Sequence, residues 1–203
     1  MISYADAWKA ELRREIKAAK GKVASAHRKK NTPAREEARI AIEKFAFVSA
    51  YYIRKLTEAK KLSDELESSF IEVAAYTAYS KALPIEHFAV VSLSDYYNFR
   101  KPQTIRLPFD KFCNLLIHSF LFAAKFHKEK VRVFFNSDKT KDTMLYEIEF
   151  NALVEVAQNV VDDKIVAYLE ENLSGGKKQV RKSRKPIPRE EFDKIMQSWL
   201  HKK

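Results

Sequence analysis

An amide, an imidazole and a thiol stand close together in the otherwise apolar run Phe112-Cys113-Asn114-Leu115-Leu116-Ile117-His118-Ser119. Lys111, Asn114 and His118 are spaced by three and four, so on a helix they line one side of an otherwise apolar cylinder. Lys125 extends that stripe two turns onward. An imidazole beside an amide and a cation has the parts of a general acid/base for a phosphodiester. Histidine titrates near ~6.5, and an ammonium stabilises charge developing on a phosphorane. The competing reading is plainer: a polar stripe on an amphipathic helix is the side that meets water.

A second group lies in Tyr51-Tyr52-Ile53-Arg54-Lys55-Leu56-Thr57-Glu58. Arg54 and Glu58 are four apart, and either they form an intrahelical ion pair or Arg54 supplies a further cation to the first group. Other chemistries are excluded. Three glycines cannot build a phosphate-cradling loop or a dinucleotide fingerprint, and no HExxH pair, nucleophile elbow or zinc-deaminase spacing occurs. The single cysteine rules out a disulfide framework and a Cys-based zinc site, and it suits a reducing compartment. The five histidines (27, 87, 118, 127 and 201) are scattered, and His118 and His127 would sit on opposed faces of one helix. Neither a metal nor a cofactor is expected.

The charge points to a polyanion. The chain has 203 residues, with 38 Lys+Arg against 27 Asp+Glu, a net +11. Residues 1–30 hold nine basic and three acidic side chains, residues 175–203 hold ten and three, and the body between them sums to −2. Each basic end also holds one of the two tryptophans, Trp8 and Trp199. Arg13, Arg14 and Lys17 in the first arm, and Lys177, Lys178, Arg181, Lys182, Arg184 and Lys185 in the second, could track a phosphate backbone. Alternatively the tryptophans pack on the body and the lysines solvate its surface. The stretch 177–185 fits polyanion contact and disorder equally well. With no apolar signal core and no run of 18 apolar residues, a soluble cytoplasmic protein is expected.

Trp8, Leu12, Ile16, Ala19 and Val23 predict an amphipathic helix from Tyr4 to about Lys30, with a break allowed at Gly21. Thr32 as cap and Pro33 in the first turn start a second helix reaching about Lys61, with Ala41, Phe45, Val48, Tyr52 and Leu56 inward, widened by Ile42, Ala46 and Ile53. Residues 63–107 fit a covering loop, although Ser69-Phe70-Ile71-Glu72-Val73 reads as strand or helix. A third helix is expected from Pro108 to about Lys128. A β-hairpin near 131–150 follows, with Val131, Val133 and Phe135 on one face and a turn at Asn136–Lys139. A helix from Asn151 to Leu173 then stops at Ser174-Gly175-Gly176. A basic linker and a short amphipathic helix with Phe192, Ile195, Met196, Trp199 and Leu200 close the chain. The expected fold is mainly α: a helical bundle with one inserted β-hairpin and basic amphipathic helices at both termini. It divides into an arm (1–30), a body (31–174) and a second arm (175–203).

Asn114-x-x-x-His118 on a helix of such a bundle resembles the core of the HEPN superfamily, in which four to six residues separate an arginine from a following histidine, often with a polar residue just after the arginine. Here Cys113 precedes Asn114, and Lys111 is the basic residue at the permitted spacing. The resemblance implies a bundle that dimerises so that two motifs meet, and a metal-independent ribonuclease of toxin–antitoxin or phage-defence type. His118 would then be acid/base, Asn114 its orienting partner, and Lys111 or Arg54 the charge-stabilising cation. Two functions are therefore expected to compete: a nucleic-acid-binding protein, RNA favoured, that works through its basic ends, and an active ribonuclease.

Overall fold

The computed structural model describes residues 4–79, 92–172 and 178–200. Helix α1 (Ala5–Lys29) buries the expected stripe of Leu12, Ile16, Ala19 and Val23, extended by Ala26, and runs unbroken through Gly21. Lys30 stops it in a left-handed conformation (φ 52°), its N–H donating to the carbonyl of Ala26 at 3.0 Å. Helix α2 (Thr32–Glu58) follows, and its cap is Asn31, whose side chain accepts from the N–H of Ala34 at 3.0 Å. Thr32 is already inside the helix. The buried face of α2 runs through Ala38, Ile42, Phe45, Ala46, Ala50, Ile53 and Leu56. Ala41, Val48 and Tyr52 lie at its margins.

From this point the fold departs from a helical bundle. Ser63 caps the single turn α3 (Asp64–Glu67), and strand β1 (Phe70–Thr77), helix α4 (Leu93–Tyr96) and strand β2 (Gln103–Pro108) occupy the region expected to be a covering loop. Helix α5 (Phe109–Ile117) stops at His118, and the second half of the expected long helix is strand β3 (Ser119–His127). The reason is that both faces of β3 are covered. Phe122, Ala124 and Phe126 turn to the main core, while Leu121 and Ala123 turn to a second cluster. A strand apolar on both faces has no alternation, so its sequence looks like a buried helix.

The expected hairpin is present as β4 (Lys130–Ser137) and β5 (Met144–Glu149), with Val133 opposite Ile148 and Phe135 opposite Tyr146. It is the middle of a five-stranded antiparallel sheet in the order β2-β1-β5-β4-β3. Helix α6 (Phe150–Asp162) is one turn after another shorter than the sequence suggests, because the chain leaves it at Asp163 and forms a second hairpin, β6 (Ala167–Asn172) with β7 (Lys178–Ser183). Helix α7 (Arg189–Leu200) ends the described chain. The fold is thus α/β, with a sheet at its centre, and not mainly α.

One face of the sheet supports α1, α2, α5 and α6 over a core that includes Phe45, Phe112, Val133, Phe135 and Val160, each burial of this size stabilising by roughly 1.5–3 kcal/mol. Leu93 and Tyr97 cover part of the other face, against Tyr76, Phe134 and Leu145. The first basic stretch is therefore no loose arm: α1 is one wall of the main core.

Candidate nucleic-acid interface

The residues expected to do acid–base chemistry do not converge. Lys111, Asn114 and His118 are all exposed, on the water-facing side of α5. His118 is the residue that ends the helix, its N–H donating to the Asn114 carbonyl at 3.0 Å. Arg54 is engaged by Glu58, Nε to Oε1 at 2.9 Å, and Lys55 reaches the same carboxylate at 2.8 Å. These two cations hold the Glu58 carboxyl below its ordinary value, Lys55 first. Arg54 and Asn114 do meet, with Cys113 and Asp110, in a cleft of about 150 Å³ between α2 and α5, but neither His118 nor Lys111 lines it. Lys125, expected on the same stripe, is carried by β3 to the far face of the sheet.

The basic residues of the two ends divide into outward and inward sets. Arg13, Arg14 and Lys17 are exposed on α1, Arg14 pairing with Glu11 at 2.9 Å, and Arg181 and Lys185 are exposed as well. Lys177 and the side chain of Lys178 lie outside the described residues, as do the side chains of Ile195, Met196, Trp199 and Leu200 and the Ser174-Gly175-Gly176 stop. Phe192 is exposed.

Lys182 turns inward, and Arg184, itself exposed, reaches a buried carboxylate. Lys182 is 4 % exposed; its Nζ donates to Glu67 at 2.6 Å, with Asp64 at 3.5 Å, while its backbone N–H donates to Asp64 at 2.9 Å. Arg184 donates from Nε to Asp163, a carboxylate only 1 % exposed. Asp163 also accepts the backbone N–H of Ser63 at 2.8 Å and its hydroxyl at 2.6 Å, and its carbonyl accepts from Lys9 Nζ. Burial pushes the Lys9 ammonium below its ordinary value, against the pull of Asp163. It likewise pushes the Glu67 carboxyl up, against Lys182. A buried charge survives only when paired and hydrogen-bonded, and here each one is. This cluster fastens the β6–β7 hairpin to α1, to α3 and to the end of α6.

The fastening places Tyr168 of β6 across from the start of α1 and the end of α2. Between them lies a groove of about 790 Å³ lined by Trp8, Tyr51, Lys55, Glu58, Ala59, Lys60, Lys61 and Tyr168. Trp8 stands edge-on to Tyr52 (centroids 5.1 Å apart) and 6.4 Å from Tyr51, so the aromatic wall is braced from behind. Tyr51 and Tyr168 remain 46 % and 54 % exposed. Lys55 Nζ lies 5.8 Å from the Tyr51 ring centre, and Lys60 is exposed on the left-handed residue after α2. Lys60 and Lys61 make no ion pair among the described residues. Flat faces beside free ammonium groups are what a stacked base and its phosphate require.

Half of this groove has a signal in the sequence. Tyr51, Lys55 and Glu58 share one face of α2 by their spacing of four and three, and Lys60-Lys61 follow its end. Tyr168 has none, because it reads as part of a helix that the chain does not form.

No family model, no curated protein and no solved structure matches this chain. Among the described residues no helix is long and apolar enough to cross a membrane. No group of three or more His, Cys, Asp or Glu side chains among them could hold a metal ion.

Proposed function

We propose that the chain binds single-stranded nucleic acid in the Trp8–Tyr51–Tyr168 groove. The observation that carries this is the groove itself: two half-exposed tyrosine rings and a braced tryptophan, beside Lys60 and Lys61, which have no carboxylate partner among the described residues. A groove of that volume is of the size that holds organic ligands, and its chemistry suits stacking together with backbone charge. The binding role of the basic ends changes accordingly. The outward Arg13, Arg14 and Lys17 would add long-range attraction, whereas Lys182 and Arg184 act by holding the hairpin that supplies Tyr168. The groove is complete within one chain, so binding there does not call for the dimer implied by the resemblance. The ribonuclease alternative is not favoured by any geometry, since His118 stands exposed at a helix end, outside the cleft that holds Arg54 and Asn114.

The test is fluorescence anisotropy with labelled oligouridine and oligothymidine over a series of salt concentrations. Affinity for the RNA should fall steeply with salt, and Lys60→Gln with Lys61→Gln should flatten the log–log slope by about 1.4, or ~0.7 per lysine on a single strand. An unchanged slope in the folded double variant would overturn the assignment of the groove.

A further inference from the structure

A second cleft, of about 340 Å³, opens on the sheet face turned away from α1 and α2, and is lined by Ser94, Phe99, Lys125, Phe126, His127, Arg132 and Phe134. We propose that it binds a nucleoside 5′-monophosphate unit, the base on Phe99 and the phosphate between Lys125 and Arg132.

The charge arrangement is the first support. Lys125 and Arg132 are direct cross-strand partners on β3 and β4, so two cations face each other at the closest spacing a sheet offers. Like charges in that position destabilise the pairing, and an anion between them removes the repulsion. Among the described residues Arg132 pairs with Glu147, 3.5 Å away, whose other oxygen accepts the Tyr76 hydroxyl at 2.7 Å, and Lys125 has no carboxylate partner. Glu149, opposite Arg132 on β5, is taken by Lys130 at 2.9 Å. Lys125 lies over the Phe134 ring, Nζ 5.6 Å from its centre. His127 adds a third nitrogen-bearing side chain on the same side of β3, two residues on.

The floor is the second support. Phe99 meets Phe134 edge-on with centroids 5.8 Å apart and lies against Tyr76 at 4.4 Å, which fixes the ring while leaving it partly exposed. A fixed ring flanked by two cations selects a ligand with a flat face and an anionic end. An inorganic anion would leave the ring uncovered, and a neutral nucleoside would leave the cations unneutralised. The same unit is present in a free nucleotide and at the 5′ end of a strand.

Isothermal titration calorimetry of the full chain at fixed ionic strength tests this with 5′-AMP, adenosine, inorganic phosphate and the 5′-phosphorylated dinucleotide pApA. Binding of 5′-AMP is expected, with adenosine and phosphate each weaker by about ten-fold or more. Lys125→Gln and Arg132→Gln should each weaken 5′-AMP by a similar factor, Lys125→Gln without lowering the melting temperature since it removes one of two opposed like charges, and Lys125→Arg should retain most of the binding. Tighter binding of pApA than of 5′-AMP assigns the site to a strand end, and equal binding assigns it to the free nucleotide; either supports the proposal. No heat with 5′-AMP, phosphate binding as tightly as 5′-AMP, or folded Gln variants with wild-type affinity would each overturn it. Tyr168→Ala should leave 5′-AMP binding unchanged, so failure of the groove and failure of this cleft are read separately.

Discussion

Replacing Tyr168 with alanine separates a stacking platform from an ordinary surface tyrosine. The side chain is 54 % exposed and projects from a two-stranded hairpin into the groove. About half of its surface, roughly 100 Å² of the 150–250 Å² an aromatic side chain offers, is therefore available for a base to cover. At about 25 cal/mol per Å² that area corresponds to ~2.5 kcal/mol, inside the ~1–3 kcal/mol that alanine substitution removes per stacked base. Affinity for labelled oligouridine should fall by about 60-fold, and by no less than about five-fold, in an anisotropy titration at constant salt. The stability of the fold should move by no more than ~0.5 kcal/mol in a urea melt, because the ring covers little core. Val166→Ala, at a residue 59 % exposed and outside the groove lining, is the control. A loss below roughly three-fold, under about 0.7 kcal/mol, would refute the role of the ring and with it the groove as a stacking surface.

Asp163→Ala should destabilise the fold by about 1–3 kcal/mol, since it leaves the buried Ser63 N–H and hydroxyl without their acceptor and frees Arg184 to water; a change under ~0.5 kcal/mol in urea unfolding would contradict the fastening role. Asn31→Ala should cost α2 about 0.5–2 kcal/mol through loss of its cap, read the same way, with Thr32→Ala close to neutral. Burial pushes the Cys113 thiol up to about 12 from 9.0, and the Tyr76 and Tyr97 hydroxyls up to about 12 from 10.0. The unfolded chain therefore loses these protons first. Their contribution is intact below 9.0 and is lost as pH rises toward about 12, so the urea midpoint should fall across that window. Cys113→Ala should remove the part that begins near 9.0, and a midpoint flat through that range would contradict the burial of all three groups. In native protein near neutral pH the Cys113 thiol should react with a disulfide reagent only as fast as the fold opens.

The first two helices were legible because each has a dry face and a wet one, and a period of 3.6 is then written in the residues themselves. The β4–β5 hairpin was legible for the same reason at a period of two, in Val131, Val133 and Phe135. Strand β3 was not. Phe120 to Phe126 is apolar on nearly every residue because the helices cover one side and the Leu93–Tyr97 segment covers part of the other, and burial on both sides erases the alternation. That misreading is what turned an α/β fold into an expected helical bundle and put Lys125 on a stripe with His118.

The candidate site divides in the same way. Lys111, Asn114 and His118 were found by spacing alone, and the structure leaves them facing water. Tyr51, Lys55 and the Lys60-Lys61 pair stood within or beside a stretch already marked by its composition, but nothing local tied them to Trp8 or Tyr168. Composition and periodicity alone carry the basic surplus and its concentration at the two ends, the amphipathic faces of α1 and α2, and the absence of glycine-built phosphate loops and cysteine-built metal sites. Which cations are paired depends on contacts between residues distant in the chain. Lys182 and Arg184 read as solvated linker charges, yet Glu67 and Asp163, more than a hundred and about twenty residues away respectively, take both as partners and bury the first. Lys60 and Lys61 form no ion pair among the described residues.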